Sequence, residues 1–320
     1  MTAHAGTDTR PRIALTLGDP AGIGPEIALA ALASAEVRAA MRLVAIGPEE
    51  FRPESAPDFD SGSEDLAWLA TPGPKSWAHG RPQADCGRAA LDALAAGAGL
   101  AREGRVDALV TGPVSKEALH LAGEPVEGQT ELLARWADVR RYEMIAIAGD
   151  LRVMLLTRHM PLRVALEHVH ADAICERMRL FDETLRKLGV TESPRLALAG
   201  LNPHAGEHGL LGSEEADVLE PAVRTLRGEG LEVHGPVSPD VVFLDAAQGR
   251  FDGVLALYHD QAFIPLKLLS AGRGVTLVAG LPYLRVSPVH GTAFDIAGQG
   301  KASPENLIQA LLQAARWASA

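Results

Sequence analysis

The sequence predicts an α/β protein with two lobes, on the strength of three observations. Short apolar runs of strand type alternate along the chain with longer stretches whose apolar residues recur at helical spacing. The chain has 320 residues, of which 47% are hydrophobic, so it can bury one large core or two of middle size. Its length suggests two lobes, and no composition shift marks a linker between them.

The strand predictions rest on apolar, often β-branched runs, and the helix predictions on Ala, Leu, Arg and Glu in an amphipathic pattern. The predicted strands cover residues 13–17, 42–46, 108–111, 144–148, 153–157, 196–201 and 254–258. The predicted helices cover residues 84–102, 171–188, 214–227 and 304–318. Residues 52–81 are rich in Pro, Ser, Gly and Asp, which favours a loosely structured surface excursion.

Composition excludes several classes of protein. A formal net charge of -11 without a long basic run argues against a general nucleic-acid binder. The first ten residues are polar and no apolar run approaches the ~20 residues of a membrane span, so a cytoplasmic location without membrane association is expected. Cys86 and Cys175 form no CxxC motif, which suggests neither a disulfide framework nor a thiolate zinc site.

Three histidines each follow a predicted strand. His159 comes after VMLLT, His204 after LALAGLNP and His259 after VLALY. Ligands of open α/β sheets bind outside the carboxyl ends of the strands, so the three imidazoles could converge there on one divalent ion such as zinc. Each histidine, taken alone, also fits a capping or supporting role. Tight polar turns at residues 202–207 and 258–261 favour a functional role.

Two glycine-containing segments lie near the ends of the chain. Residues 18–26, GDPAGIGPE, read as a strand-to-helix turn, although a plain tight turn fits these residue types as well. Residues 289–298 read VHGTAFDIAG, and GKASP follows at 300–304. The sequence contains neither a complete GxGxxG fingerprint nor a P-loop, which disfavours a standard Rossmann site.

Segments in order along nearly the whole chain resemble the 4-hydroxythreonine-4-phosphate dehydrogenase family, within the isocitrate and isopropylmalate dehydrogenase superfamily. The turn at 18–26 is similar to that superfamily's N-terminal strand-turn-helix, and residues 289–298 resemble its adenosine-binding loop. The chain is therefore identified as a member of the family. The matching segments are residues 17–27, 110–116, 128–133, 158–162, 201–207, 235–243, 258–267 and 272–298.

The resemblance implies a two-lobed α/β/α fold with an active-site cleft between the lobes. The first lobe would comprise residues 1–125 plus 296–320, and the second, residues 126–295, would carry the metal ligands. It also implies a homodimer in which His159, His204 and His259 bind one zinc, magnesium or cobalt ion shared between subunits. The positions implied to bind NAD or NADP are Gly22, Gly24, His290, Gly291, Thr292, Ala293 and Asp295.

The same resemblance implies a substrate site. Lys267 and Arg285 are cations suited to phosphate or carboxylate, although either could be a plain surface charge. Thr130 matches a third family contact. Two positions depart from the family: Gln129 stands where His is frequent, and Thr276 stands where Asn is common. Gln offers the hydrogen bonds of neutral imidazole but carries no proton charge, so the departures bear on substrate choice.

The implied reaction is oxidation of 4-phosphooxy-L-threonine by NAD(P)+ to 2-amino-3-oxo-4-phosphooxybutanoate, which decarboxylates to 3-amino-2-oxopropyl phosphate in vitamin B6 biosynthesis. Lys267 and Asp240 are both candidates for the general base. The first alternative is a paralogue that oxidises threonate or erythronate 4-phosphate by the same chemistry. A more distant one is a phosphate acyltransferase-like enzyme, against which the strand-end histidines and the C-terminal loop speak.

Overall fold

Strand β1 (Arg12–Thr16) lies between two parallel neighbours, β2 (Arg42–Pro48) and β4 (Ala108–Thr111). The computed structural model describes residues 9–61 and 65–319, so the polar first eight residues lie outside the described part. Parallel pairing continues outward to β3 (Leu66–Thr71) and β11 (Leu284–Pro288), in the order β3-β2-β1-β4-β11. Consecutive apolar residues bury these strands on both faces, as is typical of parallel sheets.

These strands belong to the first of two units, which takes in the described residues up to Leu133 and from Pro282 onward. The divisions predicted from the sequence lie at 125/126 and 295/296 instead. Pairing of β11 with β4 accounts for the later segment, because it brings Arg285 and the loop after it into the first unit. The helices of this part are α1 (Gly24–Ala33), α2 (Ala35–Ala40), α3 (Ala84–Arg102), α4 (Lys116–Leu121), α5 (Gln129–Trp136, which crosses the division) and α11 (Glu305–Ala318).

The second unit, Ala134–Leu281, has strands in the order β10-β5-β6-β9-β7-β8. Antiparallel pairs join β5 to β10 and β6, whereas β6, β9, β7 and β8 run parallel. The strands are β5 (Glu143–Ala148), β6 (Leu151–Leu155), β7 (Leu196–Ala199), β8 (Val233–Val237), β9 (Gly253–Ala256) and β10 (Val275–Ala279). The helices are α6 (Leu162–Glu167), α7 (Ala171–Lys187), α8 (Glu220–Gly228), α9 (Val242–Ala247) and α10 (His259–Ser270).

The predicted α/β class is confirmed, and α3 coincides with its predicted bounds of 84–102. The surface excursion predicted for residues 52–81 is wrong in part, because β3 lies inside it and pairs with β2. Strands β8, β10 and β11 were also not predicted. Gly235 and Pro236 lie inside β8, so its sequence does not match the pattern of a strand. The proline is tolerated because β8 is an edge strand. No helix in the described part of the chain is long and apolar enough to cross a membrane.

Candidate functional site

The three strand-end histidines follow neighbouring parallel strands of the second unit. His159 comes after β6 and His204 after β7, while His259 is the first residue of α10 after β9. Because β9 lies between β6 and β7 and is parallel to both, the three carboxyl ends share one edge of the sheet. The expectation that the three histidines follow strands ending at one edge agrees with this strand order.

A hydrogen-bonded chain ties these three strand ends together. The hydroxyl of Thr157 donates to the carbonyl oxygen of Leu257 at 2.8 Å. Gln261 accepts from the Leu257 N–H at 2.7 Å and donates to the carbonyl oxygen of Gly200 at 2.8 Å. These bonds are buried and join the ends of β6, β9 and β7, so they fix the backbones from which the histidines project. Gln261 was not predicted to have this role.

The structure brings two of the three imidazoles together. The ring centroids of His159 and His259 lie 5.2 Å apart, with the ring planes inclined at 43°. His259 Nδ1 lies 2.7 Å from Asp260 Oδ1, and its ring stacks on Phe263 at 4.5 Å. A carboxylate on one ring nitrogen orients an imidazole and leaves the other nitrogen for a ligand.

Within one chain, His204 does not complete a three-histidine metal site with His159 and His259. Its side chain is 66% exposed, and its Nδ1 lies 3.6 Å from Glu207 Oε2. Within residues 9–61 and 65–319, no group of three His, Cys, Asp or Glu side chains could hold a metal ion. One chain thus supplies an imidazole pair, which suits a divalent ion in donor type but fills only part of a tetrahedral site.

The loop that carries His204 is held by a buried carboxylate that sequence reasoning missed. Glu215 accepts the backbone N–H groups of Leu201 and Asn202 at 2.8 and 2.7 Å, and the Asn202 amide at 2.9 Å. Residues 204–208 all have positive φ, between 42° and 78°, a conformation that costs about 1–2 kcal/mol for each residue other than glycine. In sequence, Glu215 looks only like an acidic residue at a helix start.

In the first unit, the two glycine-containing segments pack against each other. The Ile23 N–H donates to the carbonyl oxygen of Thr292 at 3.0 Å, and a Cβ added at Gly22 would lie 2.9 Å from that oxygen. Glu26 Oε1 accepts the N–H of Ala302 at 3.2 Å. Gly22 is thus required by protein packing in this turn. The two segments therefore lie next to each other, in agreement with their joint resemblance to the N-terminal turn and the adenosine-binding loop of one superfamily.

This junction has polar groups suited to a nucleotide. His290 Nδ1 lies 2.9 Å from the carbonyl oxygen of Gly291 and donates to it, which leaves Nε2 as an acceptor. That Nε2 is buried and has no hydrogen-bond partner among the described residues. A Cβ at Gly291 would meet open space, and Ala293 has φ of 42°. An orphaned acceptor beside open backbone fits an adenine amine donor.

Arg285, on β11, is a buried cation. Its side chain is 4% exposed, and burial lowers the pKa of the guanidinium to about 10, so it stays charged at neutral pH. Nη2 donates to Thr111 Oγ1 at 2.6 Å and to Gln129 Oε1 at 3.3 Å, both neutral oxygens. In the described part of the chain no carboxylate forms an ion pair with it. Tyr283 and Glu131 partly oppose the lowering of its pKa electrostatically, but without an ion-pair contact the buried charge fits an anion-binding role.

The other predicted site residues are more scattered. Thr130 lies partly buried in α5, Thr276 lies buried in β10 opposite Ala146, and Lys267 is exposed on α10. Asp240 is exposed, and a hydrogen bond from Ser238 at 2.5 Å lowers its pKa, as does the nearby His204. A lowered pKa makes Asp240 a weaker base.

Comparison with known proteins matches residues 24–314 to the family model of pyridoxal phosphate biosynthetic protein PdxA. The chain is 42% identical to a putative D-threonate 4-phosphate dehydrogenase of Symbiobacterium thermophilum, over 98% of each chain. It is 40% identical to a 4-hydroxythreonine-4-phosphate dehydrogenase of Desulforapulum autotrophicum, over 97% of this chain and 96% of the relative. A solved 4-hydroxythreonine-4-phosphate dehydrogenase from Klebsiella pneumoniae superposes with a TM-score of 0.87 at 39% identity, covering 96% of this chain and 99% of that one.

Proposed function

Because the chain belongs to the family of pyridoxal phosphate biosynthetic protein PdxA, we propose that it is an NAD(P)-dependent dehydrogenase of a four-carbon phosphorylated hydroxy acid. The primary substrate is 4-phosphooxy-L-threonine, oxidised to 2-amino-3-oxo-4-phosphooxybutanoate, which decarboxylates to 3-amino-2-oxopropyl phosphate. The observation that carries this proposal is the buried guanidinium of Arg285, which is held by neutral oxygens and forms no ion pair with a carboxylate in the described part of the chain. An anionic substrate would supply a counter-ion in direct contact with it.

The cofactor proposal rests on the junction between the N-terminal turn and the C-terminal loop. The positions proposed for NAD or NADP lie on these two segments, and the orphaned acceptor of His290 supports an adenine there. Oxidation of the substrate hydroxyl needs one proton removed and one hydride transferred to the nicotinamide. Lys267 and Asp240 both remain candidates for the proton acceptor.

A second substrate has support of its own. Relatives named for D-threonate 4-phosphate, at 42% and 40% identity, are as similar to this chain as relatives named for 4-hydroxythreonine-4-phosphate, at 40% and 38%. Gln129 also stands where the family often has His. D-threonate 4-phosphate is therefore the second candidate, and erythronate 4-phosphate is tested beside it.

The proposed metal ligands are His159, His204 and His259, shared between the two chains of a homodimer. The paired rings of His159 and His259 would supply two imidazoles, and His204 of a second copy would supply the third. A bound divalent ion lowers the pKa of a coordinated hydroxyl and polarises a carbonyl, which assists both oxidation and decarboxylation. Zinc, magnesium and cobalt are the candidate ions.

A cytoplasmic location stays a prediction.

Mixing inactive variants tests the shared site. We expect His159→Ala and His204→Ala each to be inactive, and co-expression of the two to restore about a quarter of wild-type activity, since about half of the dimers are mixed and each has one complete site. If one chain supplied all three ligands, the mixed dimers would remain inactive. Size-exclusion chromatography of each variant establishes that the dimer is retained.

The test of the function is NAD(P)H formation with 4-phosphooxy-L-threonine, D-threonate 4-phosphate and erythronate 4-phosphate, with and without a chelator. Higher kcat/KM with the first acid supports the vitamin B6 reaction. Preference for either of the others reassigns the substrate within the same chemistry. Absence of turnover with all three acids, in the presence of both cofactors and each metal, would overturn the proposed activity.

A further inference from the structure

Gln129 joins the buried cation of the first unit to the end of strand β4. Its Nε2 donates to the carbonyl oxygen of Gly112 at 3.0 Å, and its Oε1 accepts from Nη2 of Arg285 at 3.3 Å. Gly112 directly follows β4, and Arg285 lies on β11 beside β4. The amide thus spans from the guanidinium to a rigid backbone group.

The polarity of the two partners fixes the orientation of this amide. A carbonyl oxygen can only accept and a guanidinium can only donate, so the side chain must present nitrogen to Gly112 and oxygen to Arg285. The reverse orientation would place oxygen against oxygen and N–H against N–H. Glutamine satisfies both partners at once and carries no charge.

A second neutral oxygen contacts the same guanidinium nitrogen. Thr111 Oγ1 lies 2.6 Å from Nη2 of Arg285, and the Thr111 side chain is fully buried. Together, Thr111 and Gln129 hold Nη2 of the Arg285 guanidinium without neutralising its charge. A planar guanidinium binds a two-oxygen anion well only when its fork is correctly directed.

We propose that Gln129 is a positioning residue that holds the Arg285 guanidinium in the orientation required by the anionic group of the substrate. This inference rests on the proposed function and deepens it, because it states how the substrate oxyanion is selected. The effect is on binding, so substitution at Gln129 raises KM and leaves kcat almost unchanged. A carboxylate in its place would pair with Arg285 and compete with the substrate.

The test compares Gln129→Met, Gln129→Glu and Gln129→His, with Gln309→Met as the matched control. Gln309 is a partly buried glutamine on α11 that bonds to Glu305 at 3.2 Å. Affinity for inorganic phosphate and for unphosphorylated D-threonate is measured from the rise in melting temperature with ligand concentration. The first ligand reports a phosphate site and the second a carboxylate site, and phosphate and carboxylate are the two anionic groups of the proposed class of substrate.

For the ligand that Arg285 binds, we expect about a tenfold loss of affinity in Gln129→Met, a larger loss in Gln129→Glu, and recovery in Gln129→His at pH 8, where neutral imidazole can both donate and accept. The control should differ from the parent by less than about twofold. Unchanged affinity for both ligands in a folded Gln129→Met protein would overturn the proposal.

A double-mutant cycle asks whether Gln129 acts through Arg285. Arg285→Lys should lose most of the anion affinity, and Gln129→Met should add less than about twofold in that background. Fully additive losses would mean that Gln129 touches the anion itself, which contradicts a positioning role. Because both ligands are scored by binding, the result is independent of turnover, and a failed substrate assay would count against the proposed function alone.

Discussion

Glu215 accepts two hydrogen bonds from Asn202, one from its backbone N–H at 2.7 Å and one from its side-chain amide at 2.9 Å. This buried carboxylate, at the start of a π-helical turn, holds the loop that carries His204. Short π-helical turns recur at functional sites, because the extra residue redirects a side chain. The position of a proposed metal ligand thus depends on a residue eleven places further along the chain.

Replacing Glu215 by Gln should weaken zinc binding. The substitution turns one acceptor oxygen into a donor that faces N–H groups, so we expect a loss of about 2–4 kcal/mol in unfolding free energy. Zinc affinity, measured by competition with a chromogenic chelator, should fall ~10–100-fold. Glu214→Gln is the control, since Glu214 is exposed and makes one bond to Asn202 at 2.8 Å. Equal zinc affinity in the two variants would contradict this role.

Adding a methyl group at Gly22 should separate the N-terminal turn from the C-terminal loop. The new Cβ would lie 2.9 Å from both Cβ and the carbonyl oxygen of Thr292, so one segment must move. We expect Gly22→Ala to cost about 1–3 kcal/mol in stability and to raise the Kd for NAD(P) roughly tenfold or more. Calorimetric titration with the cofactor measures the second effect.

Gly99→Ala is the matched control for that experiment. Gly99 lies inside helix α3, and a Cβ there would contact nothing within 4 Å. Alanine should therefore stabilise the protein by about 0.5–1 kcal/mol and leave the cofactor Kd unchanged. A Gly22→Ala variant that binds the cofactor as tightly as Gly99→Ala would rule out a role for this junction in cofactor binding.

Asp19 should make stability depend on pH. Burial raises the pKa of its carboxyl from the ordinary 3.8 to about 6, although N–H groups of Ala21 and Ser115 partly oppose the shift. Since the folded-state pKa is the higher one, the stabilisation is complete below about pH 4 and is lost as the pH rises through about 6. Asp19→Asn stays neutral, and its amide keeps an oxygen for the Ala21 N–H, which donates to Asp19 Oδ1 at 2.9 Å in the parent protein.

The measurement is urea unfolding of both proteins from pH 4 to pH 8. The stability of Asp19→Asn relative to the parent should increase across that range by roughly 3 kcal/mol and level off above pH 7, because each pKa unit corresponds to ~1.4 kcal/mol. A difference that stays constant from pH 4 to pH 8 would show that Asp19 has the same pKa in the folded and unfolded states.

A charge on the apolar surface of α9 and α10 should disrupt the proposed homodimer. Leu244, Ile264 and Leu268 are 54%, 62% and 79% exposed there, and they line a groove of about 600 Å³ together with Phe243 and other residues. An apolar surface of this kind is typical of an interface. Leu268→Glu should shift the mass measured by light scattering from dimer to monomer and abolish turnover.

Leu121→Glu serves as the control, because Leu121 is 54% exposed on α4 of the first unit. That variant should keep the mass and the activity of the parent. A Leu268→Glu protein that remains dimeric would place the interface elsewhere. A monomer that keeps full activity would contradict the shared site.

The sequence by itself determined the α/β class, the bounds of α3 and the edge of the sheet where three histidines lie. These predictions succeed because helical periodicity and apolar strand runs are local properties, and because parallel strands end at a common edge. Strand β3 escaped prediction because its flanking prolines and glycines dominate the local pattern. Strand β8 was not predicted because it contains a proline, which a strand tolerates at the edge of a sheet. The sequence does not show that β8 lies at the edge.

Only the tertiary structure decided which side chains hold these sites in place. Gln261, Glu215 and Gln129 form hydrogen bonds with partners distant in sequence, and no periodicity marks a polar residue whose hydrogen-bond partner lies elsewhere in the fold. Only the structure shows that the imidazoles of His159 and His259 are neighbours within one chain. The left-handed backbone at 204–208 sets the direction in which His204 projects. Residue types determined which chemistry was available, and long-range hydrogen bonds determined where it was placed.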